Sequence, residues 1–292
     1  MKQKVLFILL LCLPLIYILF VLKYIPSNNS NFGNLSSYFG SNTFTSTNPS
    51  NPKNLFNLKK IEKYEYKIPI LMYHYVEYNQ NKEDFKRDQL NIEPHIFEQQ
   101  INGLIANNYK FITTNEIAEI INSNKADNNN YVALTFDDGY RDFYTDVLPI
   151  LRKYNVKATL YIIYNFLDSD NYLYKWQVEE IIQSGLVEIG SHTLNHVYLK
   201  TDNTEQISTE VTESKINIEN EFNIKVNSFA YPYGAYNQIA EQQVEKAGYT
   251  NATTTDLGII SNKENIFILK RIRPGYNSGQ GLVDYIETLK DN

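Results

Sequence analysis

Two histidines four residues apart follow one apolar segment of the chain, and two adjacent aspartates follow another. His192 and His196 have the spacing that brings two imidazoles onto one ion if the backbone turns helically after a strand. One carboxylate, from Asp137 or Asp138, would complete a metal-binding face with open positions for water and substrate. Neighbouring residues on a strand point in opposite directions, so we expect one aspartate to be a ligand and the other a base.

Each of these pairs also has an ordinary interpretation. Two histidines at this spacing occur by chance on surfaces and in cores, and adjacent aspartates before Gly139 can form a solvated turn. The chain has only four histidines, so a metal or acid–base site must use a large share of them. His74, near the end of an earlier apolar run, is a third candidate, whereas His95 in the segment EPHIF is expected to be a surface residue. The single cysteine, Cys12, lies in the N-terminal apolar run, so the ligands must be His and Asp.

The candidate residues lie at the ends of predicted strands, where the loops of a barrel of alternating strands and helices converge. The pattern predicts strands over 68–76, 131–138, 158–164, 187–192, 228–233, 251–256 and 267–272. It predicts helices over 95–107, 115–123, 144–154, 176–184, 203–221, 237–247 and 280–290, with left-handed caps at Asn155, Gly185 and Gly248. This alternation indicates an α/β fold with a (β/α) barrel, closed or partly open, and an open doubly wound sheet is the competing architecture.

The first 65 residues differ in composition from the remaining 227 of the 292. Residues 5–22 are an unbroken apolar run, whose helix would be about 27 Å long and could cross a bilayer. Lys2 and Lys4 precede this run, so we expect residues 1–23 to be a single-pass signal anchor with the domain on the extracellular face of the cell membrane. A cleaved signal peptide and a secreted domain are the competing interpretation. Residues 24–65, rich in Asn, Ser, Thr and Pro, are predicted to be a disordered linker to the domain at 66–292.

The overall charge excludes one class of function. With 27 basic and 33 acidic residues the net charge is −6, which argues against a general nucleic-acid binder. No glycine-rich phosphate loop follows a predicted strand, which argues against nucleotide binding. Nothing in the sequence identifies a protein partner.

Three motifs resemble those of a known family. TFDDG, SHTxxH and YPYG, in this order, resemble the NodB-homology polysaccharide deacetylases of carbohydrate esterase family 4 over about residues 68–275. The resemblance implies a distorted, incomplete seven-unit (β/α) barrel and a metal-dependent N-deacetylase. The segments PILMYHYV and FAYPYG look like the branch that deacetylates poly-N-acetylglucosamine in bacterial biofilms. In that branch the general-acid histidine lies on a strand at the front of the domain, which matches His74.

The resemblance implies a role for each candidate residue. It makes Asp138, His192 and His196 the ligands of one divalent ion, Asp137 the general base and His74 the general acid. The ion would be Zn²⁺ by default, although Co²⁺, Ni²⁺ or Fe²⁺ also suits the ligands. The substrate or oxyanion set would comprise the backbone N–H of Tyr233, the adjacent Pro232, and Trp176, which is the only tryptophan and has an equal interpretation as a core residue.

One family feature is missing from the sequence. The wider family has an arginine that orients the catalytic aspartate, and this chain has Ala230 at that position. Arg271 or Arg273, on the last predicted strand, is the candidate replacement, and basic residues that merely flank a strand are the alternative interpretation.

The expected function is a membrane-tethered hydrolase that removes N-acetyl groups from extracellular poly-β-1,6-N-acetylglucosamine and releases acetate. One alternative keeps the chemistry but changes the substrate to peptidoglycan or a chitin-like N-acetylglucosamine polymer. The other alternative is a non-catalytic glycan-binding protein at the cell surface.

Overall fold

A computed structural model describes residues 66–81, 83–123, 129–260 and 265–291. The predicted anchor and linker lie outside these residues, so both stay predictions. Among the described residues, no helix has the length and apolar character needed to cross a membrane.

Seven parallel strands form a nearly closed barrel. The strands of the chain are β1 (Ile70–Tyr73), β2 (Tyr75–Val76), β3 (Asn91–Ile92), β4 (Tyr109–Ile112), β5 (Asn130–Phe136), β6 (Ala158–Ile162), β7 (Val187–Ser191), β8 (Ser228–Ala230), β9 (Asn251–Leu257) and β10 (Leu269–Arg271). The barrel order is β1–β5–β6–β7–β8–β9–β10, and β4 pairs with the first half of β5. The Met72 N–H donates to the Ile272 carbonyl (2.8 Å) and the Ile272 N–H donates to the Ile70 carbonyl (2.7 Å), so β10 approaches β1. The barrel is therefore confirmed over the open sheet.

Helices alternate with the strands as the sequence pattern predicts. They are α1 (Phe85–Leu90), α2 (Pro94–Ala106), α3 (Thr114–Ser123), α4 (Leu148–Tyr154), α5 (Lys175–Gln183), α6 (Thr204–Phe222), α7 (Gln238–Lys246) and α8 (Gln280–Lys290). A π-helical turn, Phe143–Val147, precedes α4, and short 3₁₀ turns span Tyr164–Phe166 and Pro232–Gly234. The predicted caps at Asn155, Gly185 and Gly248 are left-handed, with φ of 51°, 69° and 83°.

Three elements were not predicted from the sequence, and one predicted strand is divided in two. The predicted strand 68–76 contains both β1 and β2, whereas β3 has only two residues, which is too short for a periodic signal. Helix α1 buries no residue, so its sequence has no apolar stripe, and it begins where the Asp84 carboxylate accepts from the Arg87 N–H. Strand β4 has four residues and pairs only with the first half of β5, and it follows α2 directly after the turn at Asn107 and Asn108.

The strands separate apolar from polar residues by alternation. Leu134 and Phe136 of β5 belong to the apolar cluster that also contains helix residues such as Phe97 of α2. Thr135 and Asp137 alternate with them and both contact Arg271 of β10, on the far side of β1. Strand β1 lies between β10 and β5, so the contact of Arg271 with Asp137 must cross the barrel interior. These polar side chains therefore lie inside the barrel, at the C-terminal ends of its strands.

Candidate metal centre and active site

Asp138, His192 and His196 form a cluster with the geometry of metal ligands. The Asp138 Oδ1 atom lies 3.4 Å from the His192 Nε2 atom and 3.3 Å from the His196 Nε2 atom. One ligand atom from each residue lies within 4.8 Å of the others. Asp138 Oδ1 is buried and accepts no hydrogen bond, although buried carboxylate oxygens are normally satisfied. A cation between the three atoms would satisfy it, so the residues fit a divalent metal ion.

The ionisation of two of the three residues suits a cation. Burial raises the pKa of Asp138, but the close approach of His192, whose Nε2 atom lies 3.4 Å away, outweighs burial, so the net pKa is lowered and the carboxylate stays ionised. Burial, reinforced by the charge of His192, lowers the pKa of His196 to about 4, so its imidazole is neutral at neutral pH. Metal ligands must be ionised carboxylates and neutral imidazoles, a requirement that Asp138 and His196 meet. Burial lowers the pKa of His192, but Asp138 and Asp137 outweigh burial and raise it, so a bound cation would have to displace a proton from this ring.

A backbone carbonyl fixes the orientation of His192. Its Nδ1 atom lies 2.7 Å from the Ala230 carbonyl oxygen, and a carbonyl only accepts, so Nδ1 carries the proton. This contact leaves Nε2 as the ligand atom, which is the usual arrangement around metal-binding histidines. Strand β8 therefore supports the cluster through its backbone, and the small side chain of Ala230 does not obstruct it.

The loop that carries His196 is held by Glu210 of α6. The Glu210 carboxylate accepts from the backbone N–H groups of Leu194 and Asn195 (3.0 Å each) and from the Asn195 side chain (2.7 Å). The His196 N–H donates to the Thr193 hydroxyl at 2.9 Å. Sequence reasoning missed Glu210, although one signal was available. It is an acidic residue in the buried stripe of α6, which also contains Ile207, Val211, Ser214 and Ile218.

Four non-glycine residues around the cluster have left-handed backbones. They are Asp138, Thr193, His196 and Tyr233, with φ of 74°, 70°, 57° and 60°. Such a conformation costs on the order of 1–2 kcal/mol for an ordinary residue, and it concentrates at functional sites. The surrounding fold holds these residues in place and so sets the directions of their side chains.

Asp137 is paired with a buried arginine. The Arg271 Nη1 and Nη2 atoms donate to Oδ1 and Oδ2 of Asp137, both at 2.7 Å, and Arg271 also donates to the Thr254 carbonyl and the Thr135 hydroxyl. Burial would raise the pKa of Asp137, but the charge and hydrogen bonds of Arg271 outweigh it and hold the pKa well below its usual range. Arg271 therefore makes the contact with the aspartate that the sequence analysis expected from an arginine at the position of Ala230. Arg273 is exposed and lines the mouth of the cavity instead.

His74 lies on the other side of Asp137. Its Nε2 atom is 3.9 Å from Asp137 Oδ2, because the parallel pairing of Tyr73 with Phe136 brings the ends of β1 and β5 together. Burial lowers the pKa of His74, and the charges of Asp137 and Asp138 oppose this shift. The side chain is 15% exposed, so it can reach a ligand in the cavity.

A cavity of about 600 Å³ opens above these residues, which is enough for a hexosamine unit. Asp137, Asp138, His74, His192, His196 and Tyr233 all line it. The Tyr233 hydroxyl lies 3.1 Å from His196 Nδ1, and Pro232 is buried in the turn beneath it. The stacked rings of Tyr75 and Tyr140, with centroids 3.7 Å apart, form one wall.

Two other predicted residues lie away from the cavity. Trp176 is not part of the cavity lining and is 50% exposed, so the core interpretation is wrong, and its predicted contact with the substrate stays a prediction. Helix α5 begins one residue before it and directs its ring to the outer surface, against Tyr144 and Tyr174. His95 is exposed beside Glu93 on α2, as expected of a surface residue.

The fold and the cluster define a class of protein, namely a parallel α/β barrel with an Asp–His–His cluster that fits a metal ion at the C-terminal ends of its strands. A profile of the family described as Polysaccharide deacetylase matches residues 124–252. YxkH of Bacillus subtilis (strain 168), a protein assigned to the polysaccharide deacetylases, is 33% identical over 226 residues, which cover 77% of each chain. The chain therefore belongs to the polysaccharide deacetylase family.

Two further relatives agree with this assignment. The Streptococcus pyogenes deacetylase PplD, solved in complex with acetate, has a TM-score of 0.71 and 32% identity, and the match covers 76% of this chain and 99% of PplD. The poly-β-1,6-N-acetyl-D-glucosamine N-deacetylase of Escherichia coli (strain K12) is 27% identical over 223 residues, which cover 61% of this chain and 33% of that protein. The match thus spans about a third of the E. coli enzyme.

Proposed function

We propose that this protein is a metal-dependent hydrolase that removes N-acetyl groups from extracellular poly-β-1,6-N-acetylglucosamine. The observation that carries the proposal is the position of Asp137, which lies between Arg271 and His74 beside the Asp138–His192–His196 cluster. The E. coli relative, by its name, deacetylates this polymer, which supports the choice of substrate. The products would be acetate and a polymer that carries free amines.

Asp138, His192 and His196 would hold the ion, for which we propose Zn²⁺ with Co²⁺, Ni²⁺ or Fe²⁺ as functional substitutes. The ion would supply Lewis-acid polarisation of the acetamide carbonyl and a lowered pKa for the attacking water. Asp137, kept ionised by Arg271, accepts the proton of that water.

The remaining steps are assigned to His74 and Tyr233. His74 delivers a proton to the amine nitrogen as the carbon–nitrogen bond breaks, because an unprotonated amine is a poor leaving group. The Tyr233 N–H donates to the oxyanion while it forms. Both residues line the cavity with Asp137, so each is within reach of one bound acetamide.

We also propose that residues 5–22 anchor the protein in the cell membrane, with residues 66–292 on the extracellular face. This arrangement would place the domain on the side of the membrane where an extracellular polymer is found. The residues from 24 to 65 would give the domain reach from the membrane surface.

The proposal is tested by measuring acetate release from acetylated β-1,6-linked oligomers by the full-length chain with Zn²⁺. His192→Ala should reduce the rate by at least about 10³-fold, because it removes a ligand of the ion that activates water. His95→Ala is the matched control, since this histidine is exposed and outside the cavity, and it should keep the wild-type rate. Equal rates for His192→Ala and wild type would contradict the mechanism.

A substrate panel tests the polymer. The same assay with β-1,4-linked chitin oligomers and with peptidoglycan should release acetate more slowly than with β-1,6-linked oligomers. Faster release from either would assign the enzyme to that polymer. Metal analysis gives an independent readout, because Asp138→Ala should lose the stoichiometric ion that the wild type retains.

A further inference from the structure

Two exposed aromatic rings lie outside the lining of the catalytic cavity, on a segment that packs against the cavity wall through Tyr172 and Tyr140. Tyr174 and Trp176, called here the aromatic platform, are 36% and 50% exposed. Their ring planes differ by only 14°, with centroids 6.4 Å apart, so their faces are nearly parallel. Neither ring lines the cavity, and an exposed tryptophan adds nothing to the buried core.

Neighbouring side chains fix both rings. The Arg141 guanidinium lies 4.1 Å from the centre of the Tyr174 ring, and it is itself held by donation to the Tyr172 and Ser169 carbonyls. Trp176 packs edge-to-face against Tyr144 at 5.4 Å. Because these contacts form within the chain, the two faces are oriented before any ligand arrives.

The platform is connected to the loop that carries the catalytic aspartates. The Leu173 N–H donates to the Gly139 carbonyl (3.0 Å), and the Arg141 N–H donates to the Asn171 carbonyl (2.9 Å). The Tyr172 ring lies 5.1 Å from the ring of Tyr140, which lines the cavity. The platform therefore lies at the same end of the barrel as the Asp138–His192–His196 cluster. It is farther from the cluster than Tyr140, which forms part of the cavity wall.

We propose that the aromatic platform binds a run of N-acetylhexosamine units of the same polymer chain whose other units enter the catalytic cavity. Pyranose rings present flat C–H faces that pack on aromatic faces, and two nearly parallel rings suit successive units of one chain. This inference rests on the proposed function for the nature of the ligand. A second contact on one molecule raises its effective concentration at the cavity, so long chains gain affinity that short ones lack.

The kinetic test compares a trimer with a long polymer, using the full-length chain and the substitutions Trp176→Ala and Tyr174→Ala. We expect the polymer KM to rise about five- to tenfold in each variant, with kcat and the trimer KM unchanged. Trp176→Phe should keep most of the polymer affinity, because it retains an aromatic face. Ile216→Ala, at an exposed apolar residue of α6, is the matched control for loss of surface apolar area and should change neither KM. Equal changes for trimer and polymer, or none, would overturn the proposal.

A binding test needs no catalysis. In affinity electrophoresis, gels containing the acetylated polymer should retard the wild type and Ile216→Ala but not Trp176→Ala. Absence of wild-type retardation would overturn the proposal that the platform binds the polymer, even if acetate were released. Absence of acetate release with normal retardation would overturn the proposed function and leave the platform supported. Self-association of the wild type that Trp176→Ala abolishes, measured by sedimentation, would assign the rings to a second copy and overturn the proposal.

Discussion

Replacement of Arg271 by Gln should convert Asp137 from an ionised base into a protonated acid at mildly acidic pH. Arg271 is 1% exposed and gives Asp137 two hydrogen bonds of 2.7 Å, while Asp137 itself is 2% exposed. Without the arginine, burial is the dominant influence and raises the pKa of Asp137 above its usual range. Loss of one partner from a buried ion pair costs about 3–5 kcal/mol, because the remaining charge is uncompensated.

The sign of the pH dependence follows from the two pKa directions. In the wild type the folded-state pKa of Asp137 is lowered, so its ionised form stabilises the fold above about pH 4 and this contribution is lost as the pH falls through the folded pKa. In Arg271→Gln the pKa is raised, so the variant loses stability as the pH rises. The difference in free energy of unfolding should therefore be largest at neutral pH and should shrink in acid.

The assay is the pH profile of kcat/KM for acetate release, together with urea unfolding at each pH. The acidic limb should move to higher pH, with activity at pH 5 reduced at least about tenfold more than activity at pH 8, since each pKa unit is worth a factor of ten. Arg271→Lys keeps the charge without the paired hydrogen bonds and should be intermediate. Arg273→Gln, at the exposed arginine two residues on, should leave the acidic limb in place. An unmoved limb in Arg271→Gln would refute the assigned role.

Three other substitutions test parts of the fold that support the site. Asp142 is buried where its carboxylate accepts from the Val76 N–H, and burial raises its pKa to about 7, so its contribution to stability falls between about pH 4 and pH 7. Asp142→Asn should remove that slope and gain up to about 4 kcal/mol at pH 8 relative to the ionised carboxylate, as measured by urea unfolding. Glu210→Gln should weaken Zn²⁺ affinity about 10- to 100-fold in a chelator competition, because it loosens the loop before His196; unchanged affinity would remove Glu210 from the support of the site. Gly190→Ala would bring a methyl group into the Tyr161 ring and should cost about 1–3 kcal/mol of stability, whereas a neutral effect would mean that the ring can shift.

Much of the site could be predicted because its residues belong to short local motifs. Asp137 and Asp138 directly follow one strand and His192 directly follows another, so strand prediction alone placed them at one end of a barrel. The parallel pairing of β1 with β5 then brings His74 beside them, although 56 residues separate Tyr73 at the end of β1 from Asn130 at the start of β5. Alternating apolar runs were sufficient for this part because each strand is long enough to show its period.

The partners of these residues depend on contacts that local patterns do not specify. Arg271 and Arg273 are two residues apart and look equivalent by alternation, but β10 ends at Arg271, which the barrel buries, whereas Arg273 lies beyond the strand at the surface. The orientation of Trp176 depends on the start of α5 and on Tyr144, which comes from a different part of the chain. The sequence pattern therefore predicts on which strand or helix a side chain lies, but not which residues it contacts.

The left-handed backbones at Asp138, Thr193, His196 and Tyr233 have a consequence for protein engineering. Grafting one aspartate and two histidines onto another parallel barrel would copy the ligand types but not the backbone conformations that orient the side chains. Thr193 is β-branched, a type that seldom adopts positive φ, so its conformation must be imposed by the surrounding loop. A successful transplant would have to carry whole loop segments and the helix that braces them. The smallest portable unit of this site is thus a set of backbone turns and not a triplet of side chains.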